Sequence, residues 1–322
     1  MSTAEISAAD PAPRRLASAR GSRFEPFFHT ACFVAATTLL ATLGAVLVLL
    51  AIGGWPAIAK FGVGFLTQNT WDPVADVYGA AGPILDTLLV AALAMAIAMP
   101  IAGGVAFFLV ELCPPVLRRP IGTAVELLAG IPSIVYGMWG LFVFAPVFAK
   151  WVEIPAMSAA PAGSIWATIF QGIPNGTGLL AASIILAFMI LPFMAATLRD
   201  LLATVPAQVR ESAYGLGATT GEVVMKVTLP YVRRGAIGAA MLGLGRALGE
   251  TMAVTFIIGN SHDFPKGLFD AGSTIASTIA NEFNEASGMQ ASALIALGLV
   301  LFLITFAVLA LARLMLRNQA RL

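Results

Sequence analysis

Six apolar runs, at about 27 to 52, 84 to 112, 121 to 149, 178 to 199, 235 to 259 and 291 to 314, leave this chain few ways to fold. Each is long enough for the ~20 residues that an α-helix needs to cross a bilayer. Inside lipid every backbone polar group must be satisfied within its own segment, which favours helices. A chain that is 59% hydrophobic and only 11% charged lies outside the range of water-soluble domains. We therefore expect an all-α integral membrane protein with six transmembrane helices. The first run, Phe27 to Ile52, is too long for the core of a cleaved leader and is read as a retained helix. The polar residues before it, 1 to 26, carry Arg14, Arg15, Arg20 and Arg23 and are expected to form a disordered basic tail, with 27 to 322 as one transmembrane domain.

Six spans put both termini on one side, and basic residues decide which. The N-terminal arginines, Arg118 and Arg119, the stretch from Asp200 to Arg234, and Arg313, Arg317 and Arg321 fall together, while Lys60, Lys150 and Lys266 fall opposite. The positive-inside rule places the richer side, and both termini, in the cytoplasm. On the outer side Trp55, Trp71, Tyr78, Trp151 and Trp166 suit an interfacial aromatic belt. Residues 274 to 285 place Ile275, Ile279 and Phe283 one helical turn apart, as a helix lying on the outer surface or a packed re-entrant one. Cys32 and Cys113 have no metal-ligand spacing and are read as inert thiols. His29 and His262 lie on opposite sides of the membrane, so no histidine metal site is expected.

The stretch Asp200 to Arg234 is polar where both neighbours are apolar. Pro206 suits a first helical turn, Gly217 a C′ position, and Thr219 with Glu222 a capping box, so two short helices are expected, the second stopped by Pro230. Val205, Val209, Ala213 and Leu216 form an apolar stripe on the first, which needs a cover. Glu211-Ser212-Ala213, Gly217 six residues after the glutamate, and Leu229-Pro230 follow the spacing of the EAA loop, which this stretch resembles. That loop belongs to the membrane subunits of ATP-binding-cassette importers, with Ser212 and Val227 as mild departures from its pattern. The resemblance implies that Glu211, Ser212, Ala213, Gly217, Leu229 and Pro230 dock on a separate ATPase subunit. A helix pair lying in the headgroup region is the plainer alternative.

Charges at membrane depth are costly and point to function by default. Arg246 and Glu250 are i and i+4 within the fifth run, hence expected on one helix face as partners, with Gly245 and Gly249 offering close approach to another helix. A guanidinium suits planar recognition of an oxyanion, so Arg246 is expected to contact a translocating anion and Glu250 to hold it when the path is empty. The alternative is a pair that only pins helix packing. Glu126 is a second intramembrane polar site, with Tyr136 ten residues on. Pro100, Pro132 and Pro192 interrupt spans, and a helix restarting at Ser133 would aim its amides into a path, although kinks relieved by neighbours are an equal reading.

The segments from Glu126 through Ile131-Pro132-Ser133-Ile134-Val135-Tyr136-Gly137, and from Gly245 through Arg246-Ala247-Leu248-Gly249-Glu250-Thr251-Met252-Ala253-Val254, resemble the PstC-type permease family of phosphate-specific import systems. The resemblance runs from about Trp71 to the C-terminus. It implies a type I ABC importer permease fold in the bacterial inner membrane. Arg246, Glu250, Glu126, Ser133 and Tyr136 would then line the substrate pathway. The partners it implies are a PstA-type permease as heterodimer, two cytoplasmic ATPase subunits binding ATP and Mg, and a periplasmic phosphate-binding protein.

The chain contains no Gly-x-x-x-x-Gly-Lys-Ser/Thr, so ATP would be bound elsewhere, and no cofactor is expected. An intramembrane protease or lipid transferase would want a His-Glu-x-x-His helix, a Ser/His pair or paired aspartates at membrane depth, and the spans offer none. Lipid is the expected surroundings, nucleic acid is not an expected partner, and a permease for molybdate or sulfate is the alternative that charge alone leaves open.

Overall fold

The computed structural model describes residues 24–318 apart from residue 162. The basic tail of residues 1–23, with Arg14, Arg15, Arg20 and Arg23, lies outside the described residues, as does Arg321. Helix α1 (Phe24–Phe61) opens in a unit of its own that ends at Leu49, and residues from Leu50 onward form a second unit. Within the first unit the apolar side chains are exposed, which suits a helix surrounded by lipid.

In the second unit the order is a short hairpin of β1 (Trp71–Asp72) and β2 (Val77–Tyr78), then helices α2 (Ala81–Leu112), α3 (Pro115–Ala129), α4 (Ser133–Ala159) and α5 (Leu179–Ala203). There follow α6 (Ala207–Gly215), α7 (220–248), α8 (Met252–Thr255), α9 (Ile275–Glu282) and α10 (Gly288–Asn318). Among the described residues, five helices are long and apolar enough to cross a membrane: α1, α2, α4, α5 and α10. The expected fifth run, 235 to 259, is instead the end of α7, a break at Gly249 to Thr251, and the four-residue α8. The expected third run, 121 to 149, is likewise divided, with α3 ending at Ala129 and the span beginning at Ser133. Two prolines are absorbed rather than disruptive, since Pro100 and Pro192 lie inside continuous helices.

Helices α2 and α5 pack side by side and form the centre of the main core. In lipid no hydrophobic driving force separates one apolar surface from another, so association depends on how closely backbones approach. Helix α2 meets that demand with Ala94, Ala98, Ala102 and Ala106, one per turn and all fully buried. Opposite them α5 contributes Ile185, Met189, Ile190, Met194 and Ala195. Helix α7 lies across both, with Gly243 against Met194 and Gly235 against Leu201.

A second cluster joins the end of α1 to α10, α9 and the hairpin through Ala57, Phe65, Tyr78, Ile275 and Leu297. Ser292 Oγ donates to Gly53 O at 2.8 Å and accepts from Ala57 N at 3.1 Å, thus binding both ends of one helical turn. Tyr78 is fully buried here, and Trp71 donates from Nε1 to Glu282 Oε2 at 2.9 Å while stacking on His262. These two aromatics are therefore core residues, and the expected belt is reduced to the exposed Trp55, Trp151 and Trp166. Helix α9 is packed, with Ile275 through Thr278 buried and Thr274 completing a capping box. Burial raises the Glu282 carboxyl, but hydrogen bonds from His262, Trp71 and Gln290 outweigh it and hold the carboxyl below its usual range.

Candidate functional site

Two of the sequence segments singled out for chemistry meet in space. Helix α4 begins at Ser133 because Pro132, without a backbone N–H, cannot continue α3 and serves as the N-cap of the next helix. Tyr136 Oη reaches back across the break and donates to Leu128 O at 3.0 Å, satisfying a carbonyl at the C-terminal end of α3. The half-buried Ser133 makes no side-chain hydrogen bond among the described residues. One turn on, Gly137 is pressed against α8: a Cβ there would lie 3.0 Å from Met252 O and 3.1 Å from Ala253 Cα. The start of α4 is thereby locked to the residues immediately after Glu250.

Arg246 and Glu250 are not partners. Helix α7 ends at Leu248 with Gly249 as its C-cap, so Glu250 has left the helix, and the i, i+4 relation no longer puts the two on one face. Glu250 is half-buried, and its Oε1 accepts weakly from Ala253 N at 3.4 Å, where a carboxylate suits the start of α8. Arg246 Nε lies 3.3 Å from Met189 Sδ, and the guanidinium sits 5.9 Å from the ring centre of Phe193, both on α5. Among the described residues no carboxylate comes within ion-pair distance of it. An exposed guanidinium held by a soft sulfur and a π face keeps most of its N–H donors available to an anion. Gly245, in turn, faces Leu309 of α10 within the same chain.

Glu126 is elsewhere. It lies on α3, outside the spanning helices, and pairs with Arg199 Nη2 at 2.6 Å; Arg199 also holds Asp200 at 2.7 Å. Arg210 on α6 pairs with Glu111 at the end of α2 at 2.9 Å. With Arg118 and Arg119 these arginines line a cavity of ≈570 Å³. In the sequence, Arg118, Arg119 and the stretch containing Arg210 serve only as markers of sidedness, and Arg199 is assigned no role. The available signal was a basic residue at each span end facing a carboxylate at another, but only the fold shows which ends are neighbours.

The polar stretch has the expected caps and an unexpected continuation. Gly217, at φ +86°, follows α6 as its C′ residue, and Thr219 and Glu222 form a reciprocal capping box: Thr219 N donates to Glu222 Oε2 at 3.1 Å and Glu222 N donates to Thr219 Oγ1 at 3.4 Å. The backbone and hydroxyl of Thr219, together with Lys226, hold the Glu222 carboxyl down at about 2. Pro230 does not stop the second helix. It sits in a first-turn position where α7 resumes after a π-helical turn, Val224–Thr228, which relieves the clash a proline makes with the carbonyl four residues back. The segment is thus one short helix and the start of a long one that runs unbroken to Leu248. Val205 is buried, whereas Val209, Tyr214, Leu216 and Met225 are exposed, Leu216 at 90%. Glu211 and Ser212 are exposed beside them, Ala213 is half-buried and Leu229 is exposed.

Long apolar helices, two helix ends at Pro132 and Gly249 that pack together, and an exposed amphipathic helix between α5 and α7 define a multi-pass membrane transport subunit. Solved structures with this fold include a bacterial alginate ABC transporter, at TM-score 0.58 and 16% identity over 90% of this chain and 96% of that one. The MetNI methionine ABC transporter, in inward-facing conformations, is similar at TM-score 0.53 and 18% identity over 77% and 99%. The fold is that of type I ABC importer permeases. Residues 113–320 match the family of binding-protein-dependent transport system inner membrane components. The phosphate transport system permease protein PstC of Pasteurella multocida is 54% identical over 85% of each chain, and that of Haemophilus influenzae is 52% identical over 92% and 94%. The PstC of Mesorhizobium japonicum is 50% identical over 97% of each. The chain belongs to the PstC permease family of binding-protein-dependent transport system inner membrane components.

Proposed function

We propose that this chain is the permease subunit of an ATP-driven importer that moves inorganic phosphate from the periplasmic side to the cytoplasm by alternating access. The observation that carries the reading is Arg246, a guanidinium at the end of α7 without a carboxylate partner among the described residues. Broken helices place irregular backbone and charge where they line a cavity, and guanidinium suits the tetrahedral oxyanion. Arg246 contacts the ion in passage. Glu250 and Ser133, at the two helix breaks, shape that passage, and Tyr136 supports it by closing the α3 to α4 break. Glu126 acts at the cytoplasmic end.

The termini and the polar stretch face the cytoplasm. The exposed apolar residues Val209, Tyr214 and Leu216, with Glu211 and Gly217, dock on one of two ATPase subunits, which bind ATP and Mg and carry out all hydrolysis. A PstA-type permease completes the membrane heterodimer, and a periplasmic phosphate-binding protein delivers the ion. The unbroken course of α7 supports this coupling, because motion imposed near Thr220 reaches Arg246 through one rigid element. Phosphate is favoured over molybdate or sulfate because the similar PstC proteins are phosphate transport system permeases. Uptake of radiolabelled phosphate by cells expressing the complex, in competition with sulfate and molybdate, tests the choice: unlabelled phosphate alone should compete, and equal competition by either other anion would refute it.

A further inference from the structure

The ends of α2 and α5, with α3 and α6, carry a second basic site. Arg118 and Arg119 on α3, Arg199 on α5 and Arg210 on α6 converge on one cavity of ≈570 Å³, with Thr123 and Glu126 in its wall. A preference for basic residues at cytoplasmic span ends accounts for their sign, but not for four arginines from three helices meeting in one concavity.

The arrangement is built rather than incidental. Arg199 crosses α3 at Gly122, where a Cβ would lie 2.8 Å from its Nη1, so the glycine lets a guanidinium rest against the helix backbone. Glu126 and Asp200 fix Arg199, and the nearly buried Glu111 fixes Arg210, which also donates to Val205 O. Arg118 gives one N–H to Val110 O at 2.9 Å, and Arg119 makes no hydrogen bond or ion pair among the described residues. The carboxylates at the cavity are therefore spent on Arg199 and Arg210. Arg118 and Arg119 keep a net positive charge and most of their planar donors, directed at a space large enough for a small ligand.

We infer that this cavity binds a phosphate-type oxyanion, supplied either as free inorganic phosphate from the cytoplasm or as the headgroup phosphate of an anionic phospholipid. Guanidinium forks bind both through paired N–H donors, and the cavity lies at the ends of α2 and α5, where headgroups and cytoplasm meet. The anion joins α3 to α6, the helix that carries Glu211 and Ser212. The site rests on the proposed orientation for the compartment it faces and does not involve Arg246.

The test uses the full-length chain with Thr123→Cys as reporter and Cys32→Ser to remove the exposed native thiol, Cys113 being buried. The chain is reconstituted in phosphatidylcholine vesicles with or without phosphatidylglycerol, and the rate of modification by an uncharged maleimide is measured in inorganic phosphate and in chloride at equal ionic strength. Severalfold slowing by phosphate in pure phosphatidylcholine identifies the free ion; slowing by phosphatidylglycerol alone identifies the headgroup. In either case the slowing must disappear in Arg119→Gln, which removes no existing bond, and persist in Arg246→Ala, where a failure of the transport reading would show instead. Equal rates in all conditions, or slowing that survives Arg119→Gln, would overturn the inference.

Discussion

Single residues carry most of the contacts that distinguish this fold from a generic bundle. Gly137 is one of them, because the side chain it lacks would meet both backbone and the ring of Phe256. Gly137→Ala is expected to cost about 1–3 kcal/mol through overpacking, measured as a lower unfolding temperature of the purified chain, and an unchanged temperature would show that α8 moves away freely. Tyr136→Phe removes only the hydroxyl that caps Leu128 O and should cost about 1 kcal/mol while uptake is retained. Loss of uptake at full stability would instead put Tyr136 in contact with the ion. At the opposite end, Arg210→Ala leaves the largely buried Glu111 without its partner, and a loss of about 1–3 kcal/mol is expected, largely restored by the double variant with Glu111→Gln.

At the scale of elements, pattern was legible and continuity was not. The capping box at Thr219 and Glu222 and the C′ glycine at Gly217 follow from local chemistry, which any sequence window contains. The same window gave Pro230 as a stop, because the widening at Val224–Thr228 that accommodates it leaves no mark in residue types. Arg246 and Glu250 were paired by spacing, and the pairing fails since Gly249 ends the helix between them. Glycine at that position serves equally as a small packing residue or as a helix end, and the sequence alone does not choose. Glu222 offers a check on the local structure. Its carboxyl is held at about 2, below the ordinary glutamate value, so its caps are present above the ordinary range and are lost as pH falls through about 2. Carboxyl carbon shifts of labelled glutamate should show one such depressed midpoint, absent in Glu222→Gln; a midpoint in the ordinary range would mean the box is open.

For the molecule as a whole, hydropathy marked the five long helices, because it sums over many residues, but not the breaks inside the third and fifth runs; the sidedness read from charge remains part of the proposed function. The basic cavity was invisible for the opposite reason: the adjacent Arg118 and Arg119 are far in sequence from Arg199 and Arg210, and their convergence depends on how α3, α5 and α6 pack. In the proposed function, α6 is the entry point for force from an ATPase. Cross-linking from Ala213→Cys or Tyr214→Cys to a co-expressed ATPase should depend on nucleotide, and a contact that ignores ATP, or none at all, would remove α6 from the coupling path. The central claim is that Arg246, free of any carboxylate in the described structure, handles the anion as it crosses. Radiolabelled phosphate uptake by Arg246→Ala and Arg246→Lys complexes, each first shown to assemble, measures this directly. The account predicts loss of at least about tenfold for alanine, roughly 1.4 kcal/mol, with partial retention for lysine, and near-normal uptake by both variants would contradict it.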